Sequence, residues 1–228
     1  MKLAIILMVC VNLVIHGVYS QEIYIDHVIS VVHDLDMEVE KYERRGFIIK
    51  SGTIHDNGLV NAHIKFANNS AFELMSIVGS PSDAIAQKYR NLLDDGEGGV
   101  YICLSGIAIE QLRLLLSDKG YAYNFTEGKF WSYITFPDDS MLAPFFFIDY
   151  HHHFEEDNKY HIHENNCKGF KVISIEGNSE TNKFLSDIGL KTDSIQSEQF
   201  QTHTGNIKVI ESSGRHRPRI PSIVFDKP

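Results

Sequence analysis

Two titratable side chains, those of His27 and Glu73, stand within apolar runs that are typical of β-strands, at 23–32 and 71–78. Alternate residues of a strand share a face, so we expect His27 to share one with Ile25 and Ile29, and Glu73 to be the single carboxylate on its face. An ionised carboxylate in apolar surroundings is costly unless a partner compensates it. A neighbouring imidazole, a divalent metal bound by both residues, or a face open to solvent would each compensate, and the pattern leaves all three open.

Further polar residues that could contact a ligand follow in and after a turn-rich segment at 53–58. A loop that joins two strands at the rim of a sheet is well placed to touch a ligand, which makes His55 a candidate. Asn61 could orient a polar group of a substrate by hydrogen bonding. His63 alternates with Asn61, so the two share either a solvated face or the same cavity.

Histidine is unusually frequent, with 12 in the chain, and five of them fall in the segment 150–167. Three are consecutive, at 151–153, and acidic residues follow at 155–157. Consecutive side chains of an extended chain point in different directions, whereas closed metal sites use spaced and rigid ligands. We therefore interpret this run as a solvated connector with weak metal affinity, and the histidine count as poor evidence for a metal site.

The elements that position these residues form a threefold repeat. Each unit has a strand, an amphipathic helix that ends at a glycine, and three further strand-like runs; the terminal glycines, Gly46, Gly120 and Gly189, are about 70 residues apart. Asp34 and Asn178 are predicted to cap two of the helices. The pattern predicts an α+β fold of β-α-β-β-β modules at about 23–78, 99–150 and 169–226. In the third unit the three runs are placed near 199–202, 206–211 and 220–225.

The first twenty residues are expected to lie outside the fold. Lys2 precedes an apolar run at 3–15, and Ser20 precedes a polar pair, which is the pattern of a secretory signal peptide. The run is short for a membrane span. Cleavage after Ser20 would leave a secreted or periplasmic chain at 21–228 without a stable membrane anchor. It would also leave Cys103 and Cys167, and whether these two pair stays open.

The charge balance argues against nucleic acid as a partner. There are 21 Lys and Arg against 30 Asp and Glu, a formal net charge of −9. Neutralising phosphates requires concentrated positive charge, which this chain lacks. No glycine-rich phosphate loop and no nucleophile motif of the Gly-x-Ser-x-Gly kind occurs in the sequence. A small molecule is the expected partner, and the oligomeric state is not predicted.

Several of these segments, in this order, resemble glyoxalase-like domains of the vicinal oxygen chelate superfamily, which also includes bleomycin resistance proteins and dioxygenases. The resemblance covers about residues 23 to 226. It is carried by Ile25-Asp26-His27-Val28, the helix ending Tyr42-Glu-Arg-Arg-Gly-Phe47, the segment His55…Gly58…Asn61, Phe72-Glu73-Leu74, Pro144-Phe-Phe-Phe-Ile148 and His163-Glu-Asn165.

The resemblance implies cupped mixed sheets with helices on the outer face and a divalent metal, Zn, Fe, Mn or Ni, at His27 and Glu73. Such a metal polarises vicinal oxygens of a substrate, which implies a lyase, isomerase or dioxygenase acting on a small oxygenated molecule, with Glu73 also as a base. His55, Asn61 and His163 would line the pocket. The superfamily's metal usually takes ligands from a second module as well, and the matching strands here offer no clean His/Glu pair. A metal-free module that sequesters a small molecule is the alternative.

Overall fold

Thirteen strands and four α-helices form the part of the chain that a computed structural model describes, residues 22–152, 158–192, 198–212 and 217–227. The predicted signal peptide lies outside these residues. In chain order the elements are β1 (Tyr24–Val31), α1 (Leu35–Glu43), β2 (Lys50–Ile54), β3 (Leu59–Lys65), β4 (Ala71–Ile77), α2 (Ala84–Asp94), β5 (Gly98–Ser105), α3 (Ile109–Lys119), β6 (Asn124–Glu127), β7 (Trp131–Thr135), β8 (Phe145–Tyr150), a 3₁₀ turn (Asn158–His161), β9 (Gly169–Gly177), α4 (Ser179–Asp187), β10 (Lys191–Thr192), β11 (Gln199–Thr202), β12 (Gly205–Glu211) and β13 (Ser222–Asp226).

The strand order repeats three times. An eight-stranded sheet runs β2-β3-β4-β1-β5-β8-β7-β6, and its halves meet where β1 and β5 pair antiparallel. Within each half the first strand pairs parallel with the last, β1 with β4 and β5 with β8. The five-stranded sheet, β10-β11-β12-β9-β13, repeats the arrangement with β9 parallel to β12. The predicted fold class, mixed sheets built from β-α-β-β-β modules, is confirmed, and both sheets are open.

Local sequence accounts for the helix ends. The Asp34 side chain accepts a hydrogen bond from the Met37 N–H at the start of α1, and Asn178 forms a capping box with Thr181 at the start of α4. Gly120 ends α3 in the left-handed conformation, with φ of 75°, which glycine adopts without steric cost. These three helix ends could therefore be predicted from single residues.

The third module differs from the prediction in its strands. Its three strands after α4 are β10, β11 and β12, whereas the run near 220–225 forms β13, which pairs with β9 on the sheet's other side. The reason is that β10 has only two residues, too few to show alternation. Helix α2, between the first two modules, was also not predicted.

Two hydrophobic clusters lie on opposite faces of the eight-stranded sheet. On one face α1, α3 and the third module share a single cluster; in it, the Phe184 ring of α4 lies 5.2 to 6.2 Å from three phenylalanine rings of the second module. On the other face α2 covers Ile29, Val31 and Met75. Helix α2 is thus the exception to the rule that helices cover the outer face, and the part of the inner face around His27 forms a cavity instead.

Among the described residues, no helix has the length and apolar character needed to cross a membrane. Cys103 and Cys167 are both buried and are not joined by a disulfide bond.

Candidate functional site

A β-bulge in β1 brings two neighbouring side chains to the same site. Along the pairing of β1 with β5, Ile25 lies opposite Leu104 and His27 lies opposite Cys103, so that Asp26 is an extra residue without a partner of its own. Because the bulge interrupts the alternation, Asp26 and His27 both line the cavity. Regular alternation would have placed them on opposite faces.

Because of the bulge, the residues of β1 that share a face differ from those predicted. Ile25 packs in the cluster that contains α1 and α3, whereas Ile29 and Val31 pack under α2. The expectation that Ile25 shares a face with His27 is therefore wrong, because it assumed an unbroken period of two. His27 keeps the predicted relation to Ile29.

The cavity has a volume of about 660 Å³ and lies over the inner face of the eight-stranded sheet. Strands β1, β3, β4 and β8 and the connector after β8 supply most of its wall. The lining residues are Asp26, His27, His63, Lys65, Asn69, Ala71, Glu73, Ser105, Gly106, Ile148, Asp149, Tyr150, His152, Asn158 and His161.

Glu73 is the buried carboxylate of this cavity, with 7% of its surface exposed. The Asn61 side-chain amide donates to Oε1 at 2.7 Å, the His63 Nε2 lies 3.4 Å from Oε1, and the His27 Nε2 lies 3.8 Å from Oε2. Burial raises the pKa of Glu73, but the hydrogen bonds from His63 and Asn61 and the electrostatic influence of His27 and His63 outweigh it and lower the pKa to about 2. Such a carboxylate is ionised at neutral pH and is a weak base, which favours a ligand role over proton transfer.

Asp26 orients the imidazole ring of His27 through the ring nitrogen Nδ1. Its Nδ1 lies 2.7 Å from Asp26 Oδ1, and the Tyr150 hydroxyl donates to the same oxygen at 3.1 Å. Burial alone would raise the pKa of Asp26, yet the His27 and Tyr150 hydrogen bonds lower it, so the carboxylate accepts the Nδ1 proton. With Nδ1 bonded to Asp26, Nε2 is the ring nitrogen that faces Glu73. Metal-binding histidines are typically held by a carboxylate in this way.

The structure brings some of the predicted site residues together and leaves others apart. Asn61 contacts Glu73, and His63 lines the cavity, which decides between its two alternatives. His55 is exposed in the turn between β2 and β3 and does not line the cavity. His163 is buried, and both of its ring nitrogens are engaged: Nδ1 accepts from the Ile48 N–H and Nε2 donates to the Lys65 carbonyl.

These contacts of His163 give a prediction on pH. Burial lowers the pKa of His163 below its usual 6.5, so the folded protein resists protonation that the unfolded chain accepts. The stability that the neutral ring provides is complete above pH 6.5 and is lost as pH falls through the lower pKa of the folded state. We expect His163→Gln to flatten the fall in the free energy of unfolding between pH 7.5 and pH 5, measured by urea denaturation. His203→Gln, at an exposed histidine, should retain the wild-type slope.

The connector after β8 supplies more side chains to the cavity than the sequence indicated. His152 and His161 line the cavity, and the His151 Nε2 lies 3.0 Å from the Ser132 hydroxyl. The prediction that this connector is solvated is incomplete for His152 and His161, because the connector lies against the opening of the cavity. His153 and the acidic residues 155–157 lie outside the described residues.

Two sets of residues could hold a metal here. In the described part of the chain, Asp26, His27 and Cys103 are the group whose ligand atoms lie within 4.8 Å of one another. Burial and the nearby carboxylates raise the pKa of the Cys103 thiol, so that without a metal it is present as the thiol and not the thiolate. Asp26 already accepts from His27. His27 Nε2 and Glu73 fit better, because their 3.8 Å separation is close to the roughly 3.4 Å between tetrahedral ligands bound at about 2.1 Å.

The second module offers no equivalent pair. His27 lies opposite Ala71 on β4, two residues before Glu73; at the matching register Cys103 lies opposite Phe146, two residues before Ile148. Cys103 and Ile148 thus stand where the first module has His27 and Glu73. The expected lack of a clean His/Glu pair in the second module is confirmed for these strands.

Comparison with protein families gives a match to the glyoxalase-like domain over residues 25–187, which is more than half of the chain. The chain belongs to the glyoxalase-like domain family. This confirms the resemblance to glyoxalase-like domains. A comparison with curated proteins gave no match.

Solved structures are similar to this chain at low sequence identity. A hypothetical protein from Staphylococcus aureus is 15% identical, with 90% of this chain and 91% of that chain covered and a TM-score of 0.63. Methylmalonyl-CoA epimerase from Mycobacterium tuberculosis is 20% identical over 54% of this chain and 85% of its own, with a TM-score of 0.41. The Streptomyces coelicolor enzyme, in complex with 2-nitronate-propionyl-CoA, is 18% identical over 58% and 98%, with a TM-score of 0.41. The first of these similarities shows a fold shared across nearly the whole chain.

Proposed function

We propose that this protein is a metal-dependent enzyme of the lyase, isomerase or dioxygenase type that acts on a small oxygenated molecule. The single observation that carries the proposal is the pairing of His27 Nε2 with the ionised Glu73 carboxylate at the floor of a 660 Å³ cavity. Cavities of this size suit small molecules. A divalent Zn, Fe, Mn or Ni ion at this pair would polarise vicinal oxygens of the substrate and stabilise an enolate or activate oxygen.

The protein's own residues have separable tasks in this proposal. His27 and Glu73 bind the metal, and Asp26 fixes the His27 tautomer so that Nε2 is free to do so. Asn61 holds the Glu73 carboxylate through Oε1, while its own Oδ1 accepts from the Thr53 N–H. The earlier assignment of Glu73 as a base is weakened by its low pKa, so a proton acceptor of higher pKa would serve better.

The proposal includes export, which rests on the sequence of residues 1–20 alone. The enzyme would then act in the periplasm or outside the cell on a molecule present there.

A metal-free module that sequesters a small molecule is the second candidate function. Cys103 and Ile148 at the matching positions of the second module favour it, since they do not form a His/Glu pair that would complete a metal site. Such a module would use the same cavity without performing a reaction.

One screen separates the two candidates. Purified protein is treated with chelator, divided, and reconstituted with Zn²⁺, Fe²⁺, Mn²⁺ or Ni²⁺ or left without metal. Each sample is incubated with catechols, 2-hydroxy ketones and 2-oxo acids, with calorimetry for binding and NMR for turnover. The enzyme proposal predicts product in a metal-reconstituted sample and none after chelation. Tight binding without turnover, equal with and without metal, would instead establish the sequestering module.

A further inference from the structure

Two segments of the chain, Asn68-Asn-Ser70 and Asn124-Phe-Thr126, have the Asn-X-Ser/Thr form that N-linked glycosylation requires. A glycan is bulky and hydrated, so its asparagine must face solvent in the folded protein. A motif of three residues also occurs by chance, and the sequence alone does not separate the two segments. Their burial and their contacts in the structure do.

The second segment lies on β6, which is the last strand at one edge of the eight-stranded sheet. Its central residue, Phe125, packs against the hydrophobic cluster, and the Arg113 guanidinium carbon lies 4.3 Å from the centre of its ring. Because side chains alternate along a strand, Asn124 and Thr126 point to the opposite face, and both are exposed. Within the described part of the chain neither side chain has a hydrogen-bond partner. The amide and the hydroxyl of this motif therefore share one solvent-facing side of an edge strand.

The first segment forms the turn between β3 and β4, and its polar groups are engaged. The Asn68 Oδ1 accepts from the Ser70 N–H at 3.1 Å and from the Ser70 hydroxyl at 2.7 Å, and the Asn68 Nδ2 donates to the Thr204 carbonyl at 3.1 Å. Ser70 is fully buried. The hydroxyl of this motif is thus enclosed within the protein, and the amide nitrogen is already in use.

The Asn68 amide also lies where the first and third modules meet. Its Nδ2 is so close to the backbone at the start of β9 that a Cβ added to Gly169 would overlap it. Thr204, which accepts from it, is buried and exchanges hydrogen bonds with the Ile25 backbone of β1. A saccharide on this nitrogen would force the modules apart, so a chain that received one before folding would not reach this structure.

We propose that Asn124, and not Asn68, is the N-glycosylation site of the exported chain. This inference rests on the export included in the proposed function and is independent of the metal. The donor is an oligosaccharide carried on a polyprenyl diphosphate. The Asn124 Nδ2 forms a bond to the anomeric carbon of the sugar, the bond from that carbon to the diphosphate oxygen breaks, the diphosphate leaves with the electron pair, and one Nδ2 proton is released.

A glycan at Asn124 would also protect the edge of the sheet. Strand β6 has a neighbour on one side only, and the free side of an edge strand is a template for pairing with another chain. A hydrated oligosaccharide rooted in this strand hinders such an approach.

The test maps the glycan on the full chain, with its own first twenty residues, secreted from a eukaryotic cell line. Treatment with peptide N-glycosidase converts a glycosylated asparagine to aspartate, and peptide mass spectrometry identifies the position. We expect conversion at Asn124 and none at Asn68. Asn124→Gln and Thr126→Ala should each lose the glycan. Thr126→Ser is the matched control, because it keeps the motif and should keep the glycan.

The wild-type map is decisive without any variant. An unmodified Asn124 in the secreted protein, or a glycan at Asn68, overturns this inference and leaves export intact. A chain that stays inside the cells and retains residues 1–20 overturns export and this inference together. Neither result affects the metal at His27 and Glu73, which the reconstitution screen tests separately.

Discussion

Glu73→Gln should abolish specific binding of a divalent metal, with a dissociation constant raised by at least about a hundredfold. Glutamine is almost isosteric with glutamate and its side-chain oxygen can still accept from Asn61, so the fold should be retained. What it removes is the negative charge that the low pKa maintains at neutral pH, and hard or borderline cations require that charge. Isothermal titration with Zn²⁺ and Mn²⁺ measures the loss, with circular dichroism as the check on folding.

Glu43→Gln is the matched control, because Glu43 lies at the end of α1 and does not line the cavity. It makes the same chemical change without affecting the site, and its metal affinity should equal that of the wild type. Equal affinities in wild type and Glu73→Gln would mean that any bound ion is held elsewhere on the protein.

Phe184→Ala should lower the free energy of unfolding by about 3–5 kcal/mol. The Phe184 ring is fully buried and lies 5.2 Å from the Phe136 ring and 5.6 Å from the Phe145 ring. It joins the third module to the second, and its removal leaves a cavity between them that the flanking rings cannot fill without distorting both modules. Urea denaturation followed by circular dichroism gives the value.

The control for this prediction is Phe130→Ala. Phe130 is 41% exposed, so the same truncation should cost less than about 1 kcal/mol. If Phe184→Ala costs no more than Phe130→Ala, the third module does not pack on the first two as described. A single calorimetric transition in the wild type is expected for the shared core.

Much of the fold could be predicted because its signals are local. Asp34 and Asn178 begin helices through hydrogen bonds that only a few residue types can make, and Gly120 ends one in a conformation that favours glycine. The threefold repeat supported each of these predicted helix ends. The grouping of the modules into cupped mixed sheets then followed from the resemblance to a known family.

The parts of the site that escaped prediction depend on pairing between distant strands. The bulge at Asp26 has no sequence signal, since it is defined by what lies opposite on β5. His63 could be assigned to the cavity only through its register with Glu73, and His152 and His161 only through the path of the connector. Prediction from alternation alone therefore identified His27 and Glu73 but missed most of the residues that surround them.

The most direct test of the central claim is the metal content of the purified protein at neutral pH after saturation with a divalent ion and gel filtration, measured by inductively coupled plasma mass spectrometry. We predict one tightly held ion per chain in the wild type and less than about a tenth of that in His27→Ala, with His203→Gln at the wild-type value. An ion content in wild type that is negligible, or that His27→Ala leaves unchanged, would contradict a metal site at His27 and Glu73.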